Sequence, residues 1–245
     1  MTTELGLPDD IRACLFDLDG VVTRTATLHA AAWKETFDAF LREREETPFR
    51  PFDAADYDEY VDGRPRADGV RTFLFSRDIE LPEGEPGDPP DAGTVHGLGN
   101  RKNTLLLEKI RTEGVEAYDG SVRYIEAARA RGLATAVVSS SANTLDVLRS
   151  IGAEALFDVR IDGVVAAGRK LPGKPHPDTF LAAAADLGVP PAHAAVFEDA
   201  LAGMDAGRAG RFGYVVGVDR AGQRDALYAH GADRVVADLA DLLSG

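Results

Sequence analysis

Residues 14–23 read CLFDLDGVVT. An apolar run from Ile11 to Phe16 ends at two carboxylates, Asp17 and Asp19, and Gly20 follows. Carboxylates at the end of a greasy strand lose hydration, a cost that a positive charge between them offsets. The stretch therefore predicts a buried strand whose end meets a cation.

Working outward, the same grammar recurs. The apolar runs IRACLF, LATAVV, AAVF, GYVVGV and DRVV alternate with SVRYIEAARARG, ANTLDVLRSIG, PDTFLAAAADLG and ALAGMDAGRAG. These four are amphipathic or Ala-rich, and each ends at or near a glycine, a common helix stop. Short apolar runs alternating with helices predict an α/β fold, a Rossmann-like parallel sheet with helices on both faces. The alternation is interrupted once. A helical pattern spans about residues 27–46, and no buried strand is evident before Leu133. Residues 26–113 are therefore expected to form an all-helical insertion, with residues 1–25 and 114–245 as the α/β core. Within the insertion, Leu81 to Gly93 (LPEGEPGDPPDAG) is expected to be a solvated, mobile loop.

The totals narrow the partners. In 245 residues, 41 acids oppose 27 Lys and Arg, a formal charge of −14. Such a surface repels nucleic acid backbones and anionic membranes, so neither is an expected partner. An anionic substrate would need a local cluster of positive groups. The single cysteine, Cys14, excludes an internal disulfide and is expected to pack as a small buried hydrophobe. The start, MTTELGLPDD, lacks a basic region followed by an apolar one, and no apolar run has the length of a membrane span. A cytoplasmic protein is expected.

What the runs deliver at their C-terminal ends carries the chemistry. The first ends in Asp17 and Asp19, the second in Ser139, Ser140 and Ser141, and AAVF in Glu198 and Asp199. Open parallel sheets bind ligands outside the carboxyl ends of their strands. Carboxylates from separate strands sharing one crevice suit a hard divalent cation, and Mg²⁺, held by one or two carboxylates plus substrate phosphate, is the expected one. A phosphoryl partner also needs hydroxyls and a lysine. Ser139 supplies the first, and Lys174, in GKPHPD before a helix starting near Pro177, supplies the second. Asp17, directly off the run, is the expected nucleophile, and Asp19 the expected general acid and base. Taken singly, Asp-x-Asp-Gly is a turn, SSSAN a helix start, Glu-Asp a favourable helix N-terminus and Lys174 a solvated lysine. Together, in order and at strand ends, they point to one site.

This ordered set is similar to the haloacid dehalogenase-like superfamily of phosphotransferases. DLDGVVT matches its first motif, Ser139 its second, Lys174 its third, and EDALAG, Glu198 to Gly203, its fourth. The resemblance implies Asp17 as nucleophile, Asp19 as acid and base, and Ser139, Ser140 and Lys174 as phosphate ligands. It also implies Mg²⁺ held by Asp17, the Asp19 backbone carbonyl, Glu198 and Asp199, and it makes the insertion a cap domain. The chain further resembles the β-phosphoglucomutase-like branch. The residues carrying this are Thr25, His29, Trp33 and Lys34, then Gly63 and Arg66 in GRPR, then Arg101, Lys102 and Asn103, and finally Ser139, Ser141 and Asn143. In that branch Thr25, His29, Arg66, Lys102, Ser141 and Asn143 would contact a sugar phosphate, with Arg66 binding the second phosphate of a bisphosphate. Trp33 is expected to pack within the cap. Two departures stand out. Ala142 occupies a position where the branch has a lysine for the distal phosphate, and residues 73–95 are long for a cap.

The implied activity is interconversion of β-glucose 1-phosphate and glucose 6-phosphate by a monomer. A phosphatase on the same scaffold shares every core residue. A non-catalytic sugar-phosphate binder would be expected to have lost Asp17 or Asp19, and both are present. A dinucleotide-binding dehydrogenase would need Gly-x-Gly-x-x-Gly directly after a strand, which GMDAGRAG does not provide.

Overall fold

The first apolar run becomes strand β1 (Ala13–Phe16), every residue of it buried. In the computed structural model, which describes residues 4–44 and 50–243, the chain divides into two compact units, Met1–Arg24 with Val115–Gly245, and Thr25–Gly114.

The inserted unit consists of helices α1 (Ala26–Glu43), α2 (Ala54–Tyr60), α3 (Arg66–Ser76) and α4 (Val95–Glu113). The pattern expected to reach Glu46 ends in residues outside those described. An aromatic cluster holds the unit together. Trp33 stacks on Phe37 at 4.9 Å, Phe37 meets Phe73 at 4.1 Å, and Phe52 stands edge-on to Phe73 at 5.0 Å. Trp33 thus packs as expected.

The segment expected to be a solvated, mobile loop is indeed a loop without helix or strand, and it makes contacts that its composition does not announce. It is largely exposed, but it is tied down on both sides. Arg71 of α3 pairs with Asp68 on its own helix and with Glu83 in the loop. Asn100 of α4 donates to the carbonyls of Pro86 (3.1 Å) and Asp88 (2.8 Å). The Asp88 carboxylate accepts from Glu85 N and from the hydroxyl of Thr94, which itself caps α4. Glu83, Pro86 and Asp88, which look like solvating composition, have partners on the flanking helices or within the turn.

The other unit holds the sheet. Among the described residues, β1 is joined by β2 (Ala134–Val138), β3 (Val159–Ile161), β4 (Ala194–Glu198), β5 (Tyr214–Val218) and β6 (Arg234–Val236), all parallel, in the order β3-β2-β1-β4-β5-β6. Helices α5 (Asp119–Ala130), α6 (Thr144–Ser150), α7 (Gly163–Arg169), α8 (Asp178–Asp186), α9 (Leu201–Ala209) and α10 (Arg224–Ala229) fill the crossovers. Alternation along the strands assigns side chains to the two faces. Ala13, Leu15, Ala136, Val138 and Val196 pack with Phe180 of α8 and Met204 of α9. On the opposite face the Phe16 and Phe197 rings stack at 4.5 Å, and Tyr124 of α5 meets both edge-on. Burying each such ring contributes about 2–3 kcal/mol. Strand β3, of three residues, is too short to have stood out as an apolar run.

The chain leaves β1 for β2 on one side and later returns to β4 on the other. The winding therefore reverses between β1 and β4, the position at which doubly wound sheets open a crevice for ligands. No helix among the described residues is long and apolar enough to cross a membrane.

Candidate active site

The crevice is built from strand ends in register. Phe16 pairs with Phe197, and the ladder runs one step further through Asp17 N to Phe197 O at 2.9 Å. Asp17 and Glu198 thus emerge side by side from neighbouring strands. Carboxylate oxygens of Asp17, Glu198 and Asp199, all buried, lie within 4.8 Å of one another. Lys174, brought in by the loop before α8, sits among them. Its Nζ donates to Asp17 Oδ1 (2.5 Å), Glu198 Oε1 (2.5 Å) and the Val138 carbonyl (3.0 Å). Glu198 Oε2 accepts from the backbone N–H groups of Asp199 and Ala200, both at 3.0 Å.

The charges do not balance. Three buried carboxylates meet one ammonium. Burial is the largest influence on the Asp17 carboxyl and pushes it up; Lys174 pulls it down, Glu198 and Asp19 push it up, and it lies well above the usual carboxylate range. Burial alone would lower Lys174, but Asp17 and Glu198 more than offset this and raise it, so the ammonium stays charged. Hard oxygen donors carrying excess buried negative charge fit a divalent cation.

Asp19 and the serines complete the rim. After Asp17 the chain makes a tight turn in which Thr23 N and Val22 N both donate to Leu18 O, and Gly20 N donates to Thr23 O. Gly20 has a φ of +93°. Ser139 follows β2, and its hydroxyl donates to Asp19 Oδ2 at 3.3 Å and accepts from Ser141 N at 3.0 Å. Ser141 Oγ accepts from Asn143 N at 3.2 Å. The structure therefore brings Asp17, Asp19, Ser139, Lys174, Glu198 and Asp199 together. Ser140, Ser141 and Asn143 lie on the same loop, braced by Gly163 N donating to Ser141 O.

Thr25, His29, Arg66 and Lys102 belong to the inserted unit. Thr25 starts α1, and His29 N donates to its carbonyl at 2.9 Å. Lys102 Nζ lies 3.1 Å from His29 Nδ1 and 4.9 Å from the centre of the Trp33 ring. An ammonium cannot accept, so with Lys102 charged this contact is a donation to Nδ1, which leaves the imidazole proton on Nε2. Arg66 opens α3 beside Gly99 of α4, one helical turn before Lys102. A Cβ at Gly99 would lie 3.1 Å from Arg66 Cγ.

Two glycines set the closeness of the acids. A Cβ on Gly20 would fall 1.7 Å from Asp199 Oδ2, and one on Gly203 would fall 1.9 Å from the Glu198 carboxyl carbon. Gly203→Ala is a direct test. On helix propensity alone it would stabilise α9 by about 1 kcal/mol. We expect destabilisation, with activity lower by about 10- to 100-fold, because Glu198 must leave Lys174 and its two backbone donors. Thermal unfolding and turnover of the variant check this, and a more stable, fully active protein would contradict it. Sequence reading placed Gly203 inside a motif without seeing its purpose, and it missed Gly163, Arg220 and Gln223, whose partners are backbone groups far away in the chain.

Comparison with known proteins agrees with this geometry. The chain is 58% identical to the β-phosphoglucomutase of Mycobacterium tuberculosis (strain CDC 1551 / Oshkosh), over 98% of this chain and 94% of that one. A crystal structure of β-phosphoglucomutase from Clostridium difficile superposes with a TM-score of 0.74 at 25% identity, covering 95% of this chain and 93% of the other. A hydrolase from Pseudomonas syringae shares the fold, with a TM-score of 0.76 at 23% identity over 94% of this chain and 95% of the other. The family model for haloacid dehalogenase-like hydrolases matches residues 11–211, which contain every strand-end acid described above, and the chain belongs to that family.

Proposed function

We propose that the chain is a Mg²⁺-dependent β-phosphoglucomutase that interconverts β-glucose 1-phosphate and glucose 6-phosphate through an aspartyl-phosphate on Asp17. The observation that carries the chemistry is the Lys174 ammonium bridging Asp17 and Glu198 inside a cluster of buried carboxylates. The choice of sugar rests on the near full-length similarity to the mycobacterial enzyme.

Asp17, the Asp19 backbone carbonyl, Glu198 and Asp199 would hold Mg²⁺. When bound, Mg²⁺ screens the repulsion between the Asp17 carboxylate and the incoming phosphoryl group. Asp17 attacks phosphorus, forming an O–P bond as the bond from phosphorus to the sugar oxygen breaks. Asp19 gives that oxygen its proton. In the return step a sugar hydroxyl attacks the aspartyl-phosphate, its proton passes to Asp19, and the Asp17 carboxylate is regenerated. Ser139, Ser140 and Lys174 bind the transferring phosphoryl group, with Lys174 supplying the positive charge that the average field of the protein opposes. Residues 26–113 act as the cap. Within it Arg66 offers a planar fork for the second phosphate, and His29 donates its Nε2 proton to a sugar oxygen. Thr25, Lys102, Ser141 and Asn143 complete sugar-phosphate recognition by a monomer in the cytoplasm.

The test supplies purified protein with Mg²⁺, β-glucose 1-phosphate and a trace of glucose 1,6-bisphosphate, and follows glucose 6-phosphate and free phosphate together. We expect glucose 6-phosphate with little free phosphate. Free phosphate without isomerisation would make the chain a phosphatase and would assign a functional cost to Ala142.

A further inference from the structure

The acid cluster is gripped from behind by a loop that carries none of the motif residues. Residues 219–223 connect β5 to α10. The loop is pre-formed by Asp219, whose Oδ1 accepts from Gly222 N (2.7 Å) and Gln223 N (2.8 Å). From it, Arg220 Nε donates to the Gly20 carbonyl at 3.0 Å, and Gln223 Nε2 donates to the Asp199 carbonyl at 3.0 Å. One loop thus holds the two backbone turns that present Asp19 and Asp199.

The Arg220 guanidinium is fixed in orientation. It lies 3.6 Å from the centre of the Tyr118 ring, and its Nη1 donates to Ala237 O (2.7 Å) and Asp238 Oδ2 (3.1 Å). Stacking holds the plane, and the edge contacts fix its rotation. The two turns it helps to hold have no slack between them, since not even a methyl group fits between Gly20 and the Asp199 carboxylate. A displacement of either turn therefore moves the other acid.

We propose that Arg220 and Gln223 are positioning residues that set the divalent-cation affinity of the acid cluster by holding the Gly20 and Asp199 carbonyls. This rests on reading that cluster as a cation site. It does not depend on which phosphate ester is turned over.

Gln223→Met and Arg220→Lys test it, because neither changes the net charge and an altered affinity cannot come from the average field. Mg²⁺ is titrated calorimetrically into cation-free protein without substrate, and melting is followed with and without Mg²⁺. We expect Mg²⁺ binding weaker by about tenfold in each variant, as for other groups that orient a ligand without touching the metal. The cation-free melting temperature of Gln223→Met should fall by no more than about 3 °C, the scale of one lost hydrogen bond. Wild-type affinity in Gln223→Met would overturn the proposal. A wild-type protein that binds no Mg²⁺ would overturn both the cation-site reading and the proposal. Wild-type binding without isomerisation would overturn only the mutase assignment.

Discussion

Replacing Asp17 with Asn is expected to lower turnover by at least about four orders of magnitude while the chain still folds. An amide of nearly the same shape cannot form the aspartyl-phosphate, so the loss falls on the chemical step. Stability should move the other way or not at all. Asp17 is one of three buried carboxylates facing one ammonium, and burial already holds its carboxyl well above the usual range. Neutralising it removes a desolvation cost, and Lys174 keeps Glu198 as its partner. The cation-free variant should therefore unfold at the same denaturant concentration as wild type, or a higher one. The isomerisation assay together with denaturant unfolding reads both effects. Turnover at the wild-type rate would move the nucleophile elsewhere, with Asp19 the first place to look.

Lys174→Ala is expected to be the most destabilising single change. It strands Asp17 and Glu198 in the interior without their cation, a loss of about 3–5 kcal/mol when one member of a buried ion pair is removed. Phosphate binding goes with it. The lysine's pKa is raised in the fold, so its stabilisation is fully present below the unfolded lysine value of about 10.4 and fades only as pH climbs through the higher folded value. The lysine's own titration should therefore add no pH dependence to the difference between wild type and variant across neutral pH. A double variant, Lys174→Ala with Asp17→Asn, should recover part of the loss, because one stranded charge is gone. Strict additivity of the two changes in denaturant unfolding would mean that the contact between these side chains contributes nothing.

The site was legible because its side chains come directly off strands. Asp17, Ser139 and Glu198 follow or close runs of buried apolar residues, and a parallel sheet must present those ends together. Lys174 was legible by a weaker signal, a lone lysine in a Gly-Pro loop, and nothing local foretold its burial. Arg220 and Gln223 were not legible, since a side chain that grips a distant carbonyl leaves no pattern in its own neighbourhood. The contacts of the loop at residues 81–93 were not legible for a related reason. Its composition matches a solvated loop, which it is, and its contacts come from Arg71 and Asn100 on flanking helices. Strand β3 and helices α7 and α10 are too short for periodicity to announce.

The middle of β1 has a practical use. Cys14, the only cysteine, points into the sheet unit with no exposed surface, and burial pushes its thiol well above the usual range. The thiolate, the species that reacts with maleimides and oxidants, is suppressed there. The native chain is thus a ready background for single-site labelling. A cysteine introduced at exposed Phe75 on α3 or Val164 on α7 would carry a fluorophore or spin label alone, with no native thiol to remove first.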